Sequence, residues 1–476
     1  MQEILKPIEI TNDRYRLGYH LAAKSGWIND PNGFCYFKGY YHIFYQHYPF
    51  AAEWGPMHWG HARSKDLVHW ETLPIALTPG DKEDMDGCFS GSAVVHDDKM
   101  YLIYTGHHYY EGDDDHDHFW QNQNLAISED GINFKKYENN PIISQAPEDN
   151  TQHFRDPKVW YENGSWYLIL GSQSKDNLGR VLLYKSDNLI DWNYLGPTAK
   201  SVDREKEGYM WECPDLFPLG DKQVLLMSPQ GIKADGIRYN NENETGYMTG
   251  DFNYKYNKFD RSNFQELDSG HDFYATQTML APDGRRLLFG WMDMWGSEFP
   301  EKEDGWSGAL IFPRELTLKN DKLYMKPVDE LKSLRTNKLM QGNTDIDGEQ
   351  LLEFNSKQYE ALVDFDISEA SELGFCLKDT DNNEMLEFKY FKDNNRVVVN
   401  RFGDDGIRES VINPSSKLKL HILVDTSSVE IFINDGDATF TERIYSEDTL
   451  KFSLLSNGKS SVSYDIYQLD KNAIEY

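Results

Sequence analysis

The chain has 476 residues, and its 48 lysines and arginines against 79 aspartates and glutamates leave a net charge of −31. That balance excludes nucleic acid as a partner, and a basic membrane-binding patch with it, because both need clustered cations facing phosphate. Charged residues at 27% and hydrophobic residues at 39% make a globular composition, and 14% aromatics suit a β-rich fold.

Residues 1–20 carry Glu3, Lys6, Glu9, Asp13, Arg14 and Arg16, with no apolar run of signal-peptide length. No later stretch reaches the ~18 consecutive apolar residues of a membrane helix, so the expectation is a cytoplasmic protein with no membrane partner. Cys35, Cys88, Cys213 and Cys376 are widely spaced and form no CxxC pair. Reduced, buried thiols are expected rather than a disulfide framework or a zinc site.

A turn followed by a short apolar-aromatic strand recurs along the chain. It reads Lys38-Gly-Tyr-Tyr-His-Ile-Phe-Tyr45, Asp98-Lys-Met-Tyr-Leu-Ile-Tyr-Thr105 and Asn163-Gly-Ser-Trp-Tyr-Leu-Ile-Leu170. It returns as Gly220-Asp-Lys-Gln-Val-Leu-Leu-Met227 and Asp283-Gly-Arg-Arg-Leu-Leu-Phe-Gly290, a spacing of about sixty residues. A second unit follows each strand: Ser64-Lys-Asp-Leu-Val-His-Trp70, Ser128-Glu-Asp-Gly-Ile-Asn-Phe134, Ser186-Asp-Asn-Leu-Ile-Asp-Trp192 and, more weakly, Ser262-Asn-Phe264. It predicts a turn between two outer strands with the closing aromatic packed inward. Amphipathic helices between the strands are missing, which argues against βαβ units and a TIM barrel. The expectation is an all-β chain with a five-bladed β-propeller, residues 1–325, followed by a linker helix at 326–340 and a C-terminal β-sandwich at 341–476. In the linker, Val328, Leu331 and Leu334 are spaced by three. Beyond it, short strands are expected at 358–366, 385–391, 396–402, 418–425 and 429–433, the last ending in the hairpin turn Asn434-Asp-Gly436.

Just upstream of each marker strand stand Asp30-Pro-Asn-Gly, Ser90-Gly-Ser, Asp156-Pro-Lys, Glu212-Cys-Pro-Asp and Asp272-Phe-Tyr, at steps of about 60, 66, 56 and 60 residues. Carboxylates in phase with the repeat converge on one axis, where each raises the others' pKa. A protonated carboxyl beside an ionised one is the equipment for cleaving a glycosidic bond. Trp27, Trp54, Phe89, Trp211, Tyr274 and Trp291 flank the set as stacking surfaces for sugar rings.

Trp27-Ile-Asn-Asp-Pro-Asn-Gly33 resembles the signature of the glycoside hydrolase family of invertases and sucrose-6-phosphate hydrolases, family 32. The resemblance continues through Gln46, Trp54-Gly-Pro-Met-His-Trp-Gly-His-Ala62, Cys88-Phe-Ser-Gly91, Arg155-Asp-Pro157, Glu212-Cys213 and Gly270-His-Asp-Phe-Tyr-Ala275, and reaches Val424-Asp-Thr-Ser-Ser-Val-Glu430. It implies a β-fructofuranosidase that retains configuration through a fructosyl-enzyme intermediate, acting on sucrose, sucrose-6-phosphate or short fructo-oligosaccharides. Asp30 matches the nucleophile, Glu212 the acid/base and Asp156 the residue that grips the fructosyl hydroxyls. Asn29, Gln46, Trp54, Phe89, Ser90, Arg155, Tyr274 and Trp291 match sugar contacts, and Asp272 a supporting position. Arg155 is expected to keep its neighbour Asp156 ionised. The resemblance implies a small-molecule sugar substrate and no metal or other cofactor, and it leaves oligomeric state unknown.

The acidic segment Glu111-Gly-Asp-Asp-Asp-His-Asp-His118 reads as a solvated loop near the funnel mouth rather than a metal site. An acidic mouth disfavours a phosphorylated sugar. His42, His47, His58, His61 and His69 are expected as hydrogen-bonded core histidines. Two other readings are a carbohydrate-binding propeller without catalysis, disfavoured because Asp30, Asp156 and Glu212 are all present, and a fructosyltransferase of the same fold.

Overall fold

In three of its five copies the recurring turn is a hairpin whose two central residues have left-handed backbones: Lys38-Gly39 (φ 47° and 85°), Asp97-Asp98 (47° and 59°) and Asn163-Gly164 (51° and 82°). In the other two only Gly220 (64°) and Gly284 (90°) are left-handed, and Asn320-Asp321 (51° and 58°) repeats the full pattern in a later hairpin. Positive φ at both positions matches the twist of the flanking strands, and Gly, Asn and Asp adopt it most readily. The second unit also has a mechanism. Asp66, Asp130 and Asn188 each accept two backbone N–H groups with Oδ1. The next residues, Leu67, Gly131 and Leu189, take positive φ. Trp70 and Trp192 then donate Nε1–H to the carbonyls of Leu67 and Leu189 at 2.8 and 3.1 Å. The Ser–aromatic motif is thus an Asx turn sealed by its ring.

The computed structural model describes residues 6–113, 115–403 and 406–476. The inner strands of five sheets, Gly26–Phe37, Gly87–His96, Asn150–Glu162, Met210–Leu219 and Tyr274–Leu280, pack in succession round an axis, and the last returns to the first. Five equivalent blades are nevertheless not what forms. Four sheets are blades of four or five strands. The first is a curled six-stranded sheet: Trp306–Ser307 adds in parallel beside Gly26–Trp27, and Ile474–Glu475 adds in parallel beside Trp70–Glu71. The expected sandwich is corrected too. Its strands form one continuous ten-stranded sheet curled around a single apolar core. The physical reason is the strand Lys451–Leu469, whose first half pairs with Glu372–Lys378 and whose second half pairs with Tyr359–Asp366. Arg335–Leu352 follows it along its length. Two layers therefore share hydrogen bonds, and the sheet nearly closes on itself as a barrel.

Between the modules, Asp329–Leu334 is a 3-10 helix whose Leu331 and Leu334 are buried along with Val328. The two modules are locked by buried charge. Asp425 accepts the backbone N–H groups of Gly18, Tyr19 and His20, and the His20 ring lies between Asp425 (2.9 Å) and Glu430 (2.7 Å). Arg314 pairs with Glu430 and Asp268 at 2.7 and 2.8 Å. The motif Val424–Glu430 is therefore the clamp that seats the C-terminal module, since buried charges persist only where they are paired.

Candidate active site

All five inner strands lose register with their neighbour at the same level. The breaks fall between Ile28 and Pro31, between Phe89 and Gly91, at Arg155–Lys158, between Glu212 and Asp215, and between Tyr274 and Gln277. A bulge bends its strand and re-aims a side chain. At three of them the backbone is left-handed at a non-glycine residue, Asp156 (φ 66°), Cys213 (φ 48°) and Ala275 (φ 51°). Each costs of order 1–3 kcal/mol and is held only by what packs around it.

The bulges open one cavity of about 510 Å³ at the end of the axis. Asp30, Asp156 and Glu212 line it, together with Asn29, Gln46, Trp54, Phe89, Ser90, Arg155 and Tyr274. Trp291 does not. It is fully buried behind the wall, 5.9 Å from the Trp27 ring and 5.0 Å from Trp295. Trp27 and Trp211 are likewise packing residues, whereas Trp54, 40% exposed, stands at the lip edge-on to Phe89.

Asp30 accepts from Ser90 Oγ at 2.6 Å, Asn29 Nδ2 at 3.0 Å and Cys213 Sγ at 3.5 Å. Asn29 is itself fixed by Trp27 Nε1–H at 2.8 Å. Asp156 accepts the Cys213 N–H at 2.9 Å and meets the same thiol at 3.7 Å, so Cys213 bridges the two carboxylates. Burial raises the Asp30 pKa, the Ser90 hydrogen bond opposes the rise, and the nearby Glu212 charge adds to it. Burial pushes Asp156 up to about 7 against the pull of Arg155, with Glu212 and Asp30 adding to the rise.

Arg155 lines the cavity and opposes the rise at Asp156 in the expected sense, but its hydrogen bonds go elsewhere. Its guanidinium donates Nε–H and Nη2–H to Glu212 Oε1 at 3.0 and 2.7 Å, while Nη1 meets His153 Nδ1 at 2.8 Å. Gln230 Nε2 and the Tyr274 hydroxyl donate to Glu212 Oε2 at 2.9 and 2.5 Å. Glu212 is therefore fixed on both oxygens, and Tyr274 is its support as well as part of the wall.

Asp272 leaves the axis, although it is in phase with the repeat. It accepts the Arg443 N–H and pairs with Arg401, tying the fifth sheet to the C-terminal module. Sequence reasoning missed Gln230, His107 and His153 on the lining. Gln46, His107 and Gln230 lie one to three residues past the marker strands ending at Tyr45, Thr105 and Met227, a signal that could have found the last two. Burial, with Arg155 adding to it, holds His107 and His153 down at about 3, so both are neutral. In the first sheet His42, His47, His58 and His61 are buried as expected, but His69 is exposed and bound to Asp66. From the acidic segment, His116 and Asp117 reach the cavity lining, while Asp114 lies outside the described residues.

The model for the glycosyl hydrolases family 32 N-terminal domain matches residues 20–327, and that for the family 32 C-terminal domain matches residues 330–468. Over 92% of the chain it is 42% identical to a sucrose-6-phosphate hydrolase of Zymomonas mobilis, covering 89% of that protein. It is equally 42% identical, over 92% of the chain and 91% of the relative, to a raffinose invertase of Escherichia coli. The solved family 32 β-fructofuranosidase of Bombyx mori superposes with a TM-score of 0.88 at 39% identity, covering 98% of this chain and 96% of the other. The chain belongs to glycoside hydrolase family 32 and is a glycoside hydrolase.

Proposed function

We propose that this enzyme is a retaining β-fructofuranosidase, with Asp30 as nucleophile, Glu212 as acid/base and Asp156 as the anchor for fructosyl hydroxyls. The observation that carries the reading is the convergence of these three carboxyls, each on a strand bulge, at one cavity end.

Burial, opposed by Arg155 and reinforced by the charges of Glu212 and Asp30, is why Asp156 stands near 7. Sugar hydroxyls donating to Asp156 favour its charged form, and Glu212 is the proton donor to the leaving oxygen. Asp30, oriented by Ser90 and Asn29, attacks the anomeric carbon. The carbon–oxygen bond to the leaving sugar breaks, and Glu212 gives that oxygen its proton. A water then enters, Glu212 takes a proton from it, and the resulting hydroxide displaces Asp30 from the fructosyl carbon. Two inversions restore the original configuration.

The test is the first anomer released. Proton NMR within the first minutes of sucrose hydrolysis is expected to show β-fructose, mutarotating later. An α anomer as first product means a single displacement and removes the nucleophile from Asp30.

A further inference from the structure

The cavity that accepts the fructosyl unit is poor in positive charge. Among its described lining residues Arg155 is the one lysine or arginine, and its guanidinium bonds to Glu212 and His153. Five carboxylates share the same walls: Asp30, Asp117, Asp156, Glu212 and Glu242. His107 and His153 are uncharged at neutral pH. A neighbouring cleft between the modules shares Glu242 and Trp295 with the cavity and holds Arg401, Arg408 and Arg443. Those cations are engaged: Arg443 pairs with Asp293 and Glu301, Arg401 with Asp272, and Arg408 donates to Asn241 Oδ1 at 2.8 Å and to the Ile407 carbonyl at 3.1 Å. Glu242 stands on the wall that the two share.

We propose that this enzyme selects unphosphorylated leaving sugars, with Asp117 and Glu242 at the mouth as specificity-determining residues that turn away a phosphate. The inference rests on the β-fructofuranosidase reading and narrows its substrate class. Near neutral pH a sugar phosphate carries close to two negative charges, and phosphate recognition needs cationic or N–H donors that are not already paired. Sucrose, or sucrose extended by further neutral sugars, meets no such barrier. Sucrose-6-phosphate hydrolases outnumber the raffinose invertase among the similar relatives, although one of each is 42% identical to this chain, so the proposal rests on the lining and not on those names.

The experiment compares kcat/KM for fructose release from sucrose and sucrose-6-phosphate, using the purified full chain and its D117N variant. Sucrose is expected to be favoured by roughly ten-fold or more, the scale of one like-charge contact in a partly screened site. Raising ionic strength from 0.1 to 1 M shortens the screening length from ~10 to ~3 Å and should narrow that gap. Asp117→Asn is expected to raise the ratio of the sucrose-6-phosphate value to the sucrose value several-fold. Equal or better turnover of sucrose-6-phosphate by the native chain overturns the proposal. A native preference for sucrose that neither salt nor Asp117→Asn alters overturns the electrostatic cause. If neither sugar yields fructose, the β-fructofuranosidase reading itself fails.

Discussion

Replacing Asp156 by Asn should abolish activity and stabilise the protein, and the second effect can be sized from the structure. In the folded chain the Asp156 pKa moves from its ordinary 3.8 to about 7, because burial and then neighbouring carboxylates penalise its charge. As pH rises from 3.8 towards 7 the unfolded chain gives up this proton while the folded chain keeps it, so the residue costs the native state progressively more. Above 7 both states are ionised and the cost is constant. About three units at 1.36 kcal/mol each gives roughly 4 kcal/mol at pH 8, of which about 1 kcal/mol is already present at pH 4.5. Asn carries no charge, and its Oδ1 can still accept the Cys213 N–H that Asp156 accepts at 2.9 Å. With unfolding entropy near 2.1 cal/mol/K per residue, a chain of 476 residues shifts by about 1 °C per kcal/mol. Calorimetry on both proteins at pH 4.5 and pH 8 should show the Tm difference in favour of Asp156→Asn widening by about 3 °C. Titrations away from the cavity are common to the two proteins and cancel. A difference that stays level or narrows towards pH 8 refutes the argument that charge burial at this bulge is costly.

Asp30→Asn and Glu212→Gln should each lower kcat by ~1000-fold or more with unchanged circular dichroism. A loss of only a few-fold in either removes that residue from the chemistry. Tyr274→Phe deletes the hydroxyl held 2.5 Å from Glu212 Oε2, and should lower kcat ~10-fold with KM within about two-fold. A raised KM at constant kcat would instead make Tyr274 a sugar contact. At His20 burial opposes the charge, but hydrogen bonds to Asp425 and Glu430 outweigh it and lift the pKa to about 9. That stability is fully present below pH 6.5 and is lost as pH rises through about 9. Urea unfolding of His20→Gln should therefore show a larger penalty at pH 6 than at pH 10, and an equal penalty would place the neutral ring in the native state.

Most of the cavity was legible because it obeys the repeat: Asp30, Asp156 and Glu212 recur at the blade period, and family motifs surround them. What escaped was direction. Asp272 is in phase, yet it faces Arg443 rather than the axis. Arg155 was assigned to its chain neighbour, but consecutive residues on a strand point to opposite faces, and the left-handed turn at Asp156 sends the guanidinium to Glu212 instead. The first sheet was misread for a different reason. Its sixth strand is the dipeptide Ile474–Glu475, far too short for periodicity to register and about 400 residues from its partner Trp70–Glu71. The sandwich reading assumed many short strands, whereas Arg335–Leu352 and Lys451–Leu469 are long, with glycines that look like turns. Gly348 and Gly458 stand at φ 108° and 99° inside or beside register breaks, bending those strands without ending them.

The pairing of residues 474–475 with the first sheet, and of Asp425 with residues 18–20, also sets an order of assembly. Synthesis delivers the first sheet early and the pieces that complete it last. Until the clamp around Glu430 arrives, Arg314 has Asp268 but not Glu430, the His20 ring lacks both of its carboxylates, and the edge at Trp70 stays unpaired. A ribosome-bound chain stopped near residue 330 therefore presents an open sheet edge and half-made buried ion pairs, a state exposed to chaperones and to aggregation. Completing the first sheet thus depends on residues 425–475, far in sequence from the carboxyls of the cavity.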